Sequence, residues 1–259
     1  MGSNLAFSQF KEQEFDAVSK LLCGLFDTTK SDLESLYKGI VDDFSKDWWL
    51  PHFVHRNFFK SEHQEFQKIY EQSPSIAVDL PSIFELDDGI DDKPTIVILG
   101  QDSKSDQHSK GKIHLGTPYG LHHRGSRERL GRTKLYFEMI SALLTLGYRV
   151  YLTDVYKVWV CDPNAPYNGI KLPRVDQDRF ISVLKSEVLA MNPIALVTWG
   201  KDSSDSVKAI DLKIQHLSFP HPSGAANGAW KKLMNQSPTF KNKLAYWSFE
   251  ISKALSQGI

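Results

Sequence analysis

Two short runs of this chain carry the side chains best suited to chemistry. The first, ILGQDSK, places a carboxylate, Asp102, two residues beyond Gly100 at the end of an aliphatic stretch. A carboxylate fixed there can stabilise a developing positive charge and orient a water molecule. It can equally cap the next turn, a common use of Asp. The second run, SFPHPSGAANGAW, holds His221 between Pro220 and Pro222. Two flanking prolines restrict the backbone and hold the imidazole in one direction, where it can donate to a carbonyl or a phosphate. Ser223 and the backbone N–H of Gly224 are placed for a phosphate. The alternative is a structural turn with an incidental histidine.

Strands that end in glycine or proline are needed to present these runs. Thr95–Leu99, Arg149–Thr153, Ile194–Trp199 and Ile214–Phe219 are dense in β-branched and aliphatic residues, and Leu135–Leu146 and Phe180–Ala190 between them have helical spacing. Strands alternating with helices predict βαβ units and a mainly parallel sheet, within a three-layer α/β/α sandwich spanning 94–259. Ligands bind at the carboxyl ends of such strands, which is where Gly100-Gln101-Asp102, Asp154, Gly200-Lys201 and His221-Pro222-Ser223 fall. Before this core, apolar residues from about Asn4 to Ser73 recur at helical spacing, as at Phe7, Phe15, Val18, Leu22 and Leu25. Residues 1–93 are therefore read as a helical N-terminal region packed on the core, closed by a loop rich in Pro and Asp between Pro74 and Pro94.

Composition narrows the classes. The 259 residues carry 31 basic and 31 acidic side chains, so any nucleic-acid contact must be local. One local source exists: between Lys104 and Lys134 eight basic residues, including Arg124, Arg127 and Arg129, face two acidic ones. The other reading of that cluster is a solvated helix face. Cys23 and Cys161 are far apart, which excludes a disulfide framework and cysteine-based metal spacings and points to a reducing, cytoplasmic location. No apolar run approaches the roughly 18 residues that a membrane span needs.

Together and in this order, the two runs resemble the uracil-DNA glycosylase superfamily, whose first motif reads GQDPY and whose second reads HPSP or, in relatives, NPSG. TPYGLHH resembles the GLCF stretch after the first motif and KLYFEM the following helix. VYLTDVYKV resembles the strand VYITNVVKC of the cluster-bearing families, and LVTWGK the strand before the second motif. The likeness covers residues 95–247 and implies hydrolysis of the bond joining a base to deoxyribose, on a nucleotide flipped out of the stack. It gives Asp102 the role of stabilising the positive sugar and orienting water, and His221 that of donating to a carbonyl of the leaving base. Gln101 would meet the base through its backbone, and His123 stands where the family has a stacking phenylalanine. Lys104 replaces the tyrosine that blocks bulkier bases, and Ala225 stands at the place of a wedge leucine. Asp154 replaces the asparagine that pairs with uracil. An ionised carboxylate only accepts hydrogen bonds, so Asp154 fits a base with an exocyclic amine better than uracil, unless it merely caps a turn.

The expected protein is thus a monomeric DNA glycosylase without metal or cofactor, acting on a deaminated or modified base in double- or single-stranded DNA. Two other readings stand beside it: a non-catalytic nucleic-acid-binding member of the same fold, and a protein that binds or hydrolyses a free nucleoside or nucleotide.

Overall fold

The computed structural model describes residues 5–44, 52–55, 58–60, 68, 73–104, 112–128, 132–165 and 168–256. The chain opens on β1 (Leu5–Phe7) and two amphipathic helices, α1 (Glu12–Leu25) and α2 (Lys30–Asp43). α2 starts on a reciprocal cap and α1 on the one-sided half of one, which satisfy N–H groups left over by the first turn. The Lys11 N–H donates to Glu14 at 2.9 Å, the Thr29 N–H donates to Asp32 at 2.9 Å, and the Asp32 N–H donates to the Thr29 hydroxyl at 3.2 Å. Val18, Leu22 and Leu25 form the buried face of α1, and Leu33, Tyr37 and Ile40 that of α2. Then come β2 (His52–His55), β3 (Ile76–Asp79) and β4 (Ser82–Leu86). Among its described residues, the region 1–93, expected to be helical and to close on a Pro/Asp-rich loop, therefore supplies four strands as well as two helices. Strands of three to five residues are too short for their alternation to stand out from a helical pattern.

The remaining elements are β5 (Thr95–Asp102), β6 (Lys112–Gly116), α3 (Arg124–Glu128), α4 (Arg132–Thr145), β7 (Arg149–Tyr156), β8 (Val158–Val160), α5 (Arg174–Met191), β9 (Ala195–Trp199), α6 (Lys201–Ile210), β10 (Gln215–Phe219), α7 (Asn227–Met234) and α8 (Phe240–Ser256). The main sheet has the order β1-β4-β7-β5-β9-β10, with β7, β5, β9 and β10 parallel and β1 and β4 added antiparallel at one edge. Its central strands are buried on both faces, which is why they read as unbroken aliphatic runs. The crossover through α4 runs one way across the sheet, and those through α5 and α6 run the other. Right-handed connections then place α4 on one face and α5 and α6 on the opposite one. The helix α8 joins α4, where the Trp247 indole N–H donates to the Met139 carbonyl at 3.1 Å. The result is the expected α/β/α sandwich with a mainly parallel central sheet.

A second sheet, β2-β6-β3-β8, is absent from the sequence reading. Only Lys157 separates β8 from β7, and only Leu80 and Pro81 separate β3 from β4, so this sheet is tied to the carboxyl end of β7. The N-terminal region is locked to the main sheet by Arg149, whose guanidinium grips Glu14 through two N–H groups at 2.5 and 2.6 Å and meets Glu85 at 3.1 Å. Strand order reverses at β5, so the carboxyl ends of β5 and β9 form the crevice in which ligands bind in open α/β sheets.

Candidate active site

A cavity of about 830 Å³ opens at that crevice. Gln101 and Asp102 enter it from β5, Trp199 and Gly200 from β9, and His221 from the loop after β10. Tyr119 and Tyr136 supply an aromatic wall, their ring centroids 4.3 Å apart, with Trp199 beyond them. At Gly200 the backbone turns into α6 with φ of 107°, a conformation that glycine alone adopts readily, and its N–H donates to the Phe219 carbonyl at 2.9 Å. A second cavity of about 670 Å³ shares Gln101, Asp102, Lys104 and Asp202 with the first and extends toward Tyr156 and Gln177.

β5 does not stop at Gly100. Its ladder with β7 continues through Gly100 opposite Asp154 and Asp102 opposite Tyr156, so Asp102 is a strand residue and not the cap of a turn. The glycine is needed for space: a Cβ at Gly100 would lie 2.1 Å from Asp154 Oδ1 and 2.5 Å from the Tyr119 hydroxyl. Burial raises the Asp102 carboxyl to about 6; the Lys104 charge pulls it down and the Asp202 charge pushes it further up.

His221 is held from several sides. Its Nδ1 lies 2.8 Å from the Ser223 hydroxyl and 3.4 Å from the Ser223 N–H, which donates to it. An Nδ1 that accepts leaves the proton on Nε2, so the ring offers an N–H donor from its other side. The His221 carbonyl accepts from the Trp230 indole at 2.9 Å, and Lys243 Nζ donates to the Pro222 carbonyl at 2.9 Å. Burial and then the Lys243 charge hold His221 down at about 4, so it is neutral at physiological pH. Ser223 serves to orient His221, while Gly224 lines the cavity.

Asp154 lies behind the cavity and does not line it. Its side chain is buried against Gly100, and neither oxygen meets an N–H or O–H donor. Its neighbour is another carboxyl, Asp79, at the end of β3. Two carboxyls hydrogen-bond only when one carries a proton. Burial first, then the charges of Asp79 and Asp102, raise Asp154 well above the usual carboxylate range, and burial raises Asp79 to about 7. Asp154, expected to face a base, instead has its side chain against Gly100 and beside Asp79, and it is not among the groups that line the cavity. Asp79 lines the cavity and was missed, because it belongs to a strand in a segment read as a loop.

The other expected residues divide. Gln101 and Lys104 line both cavities. His123 does not line the main cavity; it is buried with its ring centroid 3.9 Å from that of His122, and Tyr119 provides the aromatic surface instead. Arg127 is buried, its guanidinium 3.6 Å from the Phe44 ring centre and donating to the carbonyls of Leu121 (2.7 Å) and Phe44. That placement removes it from any DNA surface. Arg124 is exposed and ion-paired with Glu128 at 2.9 Å, and Arg129 lies outside the described residues. Among the described residues no group of three or more His, Cys, Asp or Glu could hold a metal ion, and no helix is long and apolar enough to cross a membrane.

No protein-family model matches the chain, and no curated protein matches it.

Proposed function

We propose that the chain is a DNA glycosylase of the uracil-DNA glycosylase type, hydrolysing the N-glycosidic bond of a deaminated or modified base. One observation carries the reading: Asp102, an ionisable carboxylate on β5, and His221, a neutral imidazole fixed by Ser223, line the same cavity at the crevice of a parallel sheet. The ionised carboxylate stabilises the positive sugar and orients water, and the Nε2–H stabilises the negative charge that moves onto the base. Tyr119, Tyr136 and Trp199 give a flat base an aromatic wall. The test is incubation with oligonucleotides that each carry one altered base, followed by assay for abasic sites; release from at least one substrate is expected, and release from none of a broad panel overturns the reading.

A second reading, hydrolysis or binding of a free nucleoside or nucleotide, is favoured by the placement of Arg127 and Arg124. With one buried and the other paired, the basic surface expected to meet phosphates is reduced. Release of base from free nucleosides that DNA does not compete away supports this second reading.

A further inference from the structure

Asp79 and Asp154 form a carboxyl pair with an unusual asymmetry. Asp154 is sealed behind Gly100, and both its oxygens lack a donor. Asp79, pinned by its backbone N–H to the Lys157 carbonyl at 3.2 Å, faces the cavity that Asp102 and His221 line. Asp102 on β5 adds negative charge. Lys157, at the turn from β7 to β8, is the cation among the described residues whose charge acts on both carboxyls, but it is committed to Glu187 at 2.6 Å and to the Asp154 carbonyl at 2.9 Å. The Tyr119 hydroxyl, in the turn before α3, lies over Gly100 beside Asp154, and His122 shares the surroundings of Gly116 with Asp79. One buried cation, already engaged, cannot neutralise two carboxylates in a low-dielectric setting. The pair therefore keeps a proton of its own.

We infer that Asp79 is a third catalytic residue of this site, beside Asp102 and His221, the acid that gives a proton to the departing base, with Asp154 as the positioning residue that keeps that proton beside it. This rests on the glycosidic hydrolysis proposed above. As the bond from C1′ to the base nitrogen breaks, its electron pair goes to the ring and the Asp79 proton goes to an unprotonated nitrogen of that ring. The water oxygen bonds C1′, and Asp102 takes the proton released by the water. Asp79 is then ionised and Asp102 protonated, and exchange with solvent restores both. A leaving group that receives a proton on nitrogen must have a bare ring nitrogen to take it. Neither ring nitrogen of uracil is bare, whereas a purine has several. The substrate class is therefore a deaminated or altered purine. Two carboxyls with different environments, one ionised and one protonated, divide base and acid work in the way this requires.

The experiment uses the full chain in three forms, wild type, Asp79→Asn and Asp154→Asn, with two duplexes as probes. One carries hypoxanthine and the other 7-methylguanine, which already bears a positive charge and leaves without a proton. Single-turnover release of hypoxanthine is expected to fall by about 10²-fold or more in Asp79→Asn, while release of 7-methylguanine falls by less than about tenfold. The wild-type decline on the alkaline side of neutrality is expected to vanish in Asp79→Asn. Asp154→Asn is expected to shift that decline along the pH axis and retain more activity than Asp79→Asn. A ¹³C titration of the aspartate carboxyls in the same proteins is expected to show one signal changing near neutral pH that is lost in Asp79→Asn. Equal losses on the two duplexes overturn the role of Asp79 as an acid while leaving the glycosylase reading intact. Carboxyl signals that all titrate in the ordinary range overturn the shared proton. Absence of release from either duplex by the wild type, while another altered base of the panel is released, overturns the purine assignment and the acid role and leaves the glycosylase reading intact.

Discussion

Burial acts in opposite directions on the two groups proposed to work on the glycosidic bond, lifting Asp102 to about 6 and lowering His221 to about 4. The pH dependence follows from these signs. Asp102 works ionised, so single-turnover base release rises about tenfold per unit below pH 6 and levels off there, before the alkaline decline assigned to Asp79. His221 is uncharged at every pH above about 4 and adds no limb of its own between 5 and 8. A rate that is already at its plateau at pH 5 contradicts the assignment of Asp102. Asp102→Asn is expected to lower release by about 10²-fold or more with little change in substrate affinity, as loss of a contact made in the transition state does. Gly100 gives a prediction about space. Gly100→Ala drives a methyl into Asp154 and Tyr119 and is expected to lower stability by about 1–3 kcal/mol in urea denaturation. Wild-type stability in that variant would mean that Asp154 does not lie over this position.

At the scale of elements, Arg127 gives the helix α3 a structural role. Arg127 reaches across to Phe44 and Leu121, joining α3 to the segment that follows α2. Burial lowers its guanidinium to about 10, which leaves it charged at neutral pH. Arg127→Ala is expected to reduce stability by about 1–3 kcal/mol, because two carbonyls lose a charged donor. The slope of log affinity against log salt for DNA should not change. Arg124→Ala removes only an exposed pair with Glu128, and its stability effect is expected to stay within about 0.5 kcal/mol. A flattened salt slope in Arg127→Ala, with unfolding midpoint unchanged, contradicts this division. The loop after β10 depends in the same way on α7 and α8, since Trp230 and Lys243 clamp its carbonyls from those helices.

For the whole molecule, the carboxyls at the crevice set a pH dependence of folding. Asp79, Asp102 and Asp154 all have folded-state values raised above the ordinary range, chiefly by burial. A raised acid stabilises the fold fully at pH below its unfolded value, and that contribution is lost as pH rises through the folded value. The window runs from about pH 4 to beyond 7. Asp154→Asn, which removes one titrating group and keeps the shape, is therefore expected to stabilise the protein by about 1–3 kcal/mol more at pH 8 than at pH 5. An equal effect at both values, read from denaturant midpoints, would show that Asp154 is ionised throughout.

Three of the parallel strands, β5, β7 and β9, were legible because each is buried on both faces and leaves a continuous aliphatic run, whereas β10, at the sheet edge and largely exposed, was read from Ile214, Leu217 and Phe219 alone. The candidate positions at their ends followed from the rule that ligands bind at the carboxyl ends of such strands. Asp102 and His221 were found in this way, and the cavity brings both together. The small second sheet was not legible, because its strands are short and its pairings join segments far apart, such as β3 with β6 and β8. Asp79 was lost with it. Spacing alone also left Arg127 and Asp154 ambiguous, since solvated and buried side chains of one residue type look alike in a sequence. Sequence by itself determined the layered α/β architecture and the two runs that meet at the crevice. Tertiary structure alone decided which charged side chains are exposed, which are buried and which carboxyls are pushed above their ordinary range, because desolvation depends on what packs around a group and not on its neighbours along the chain.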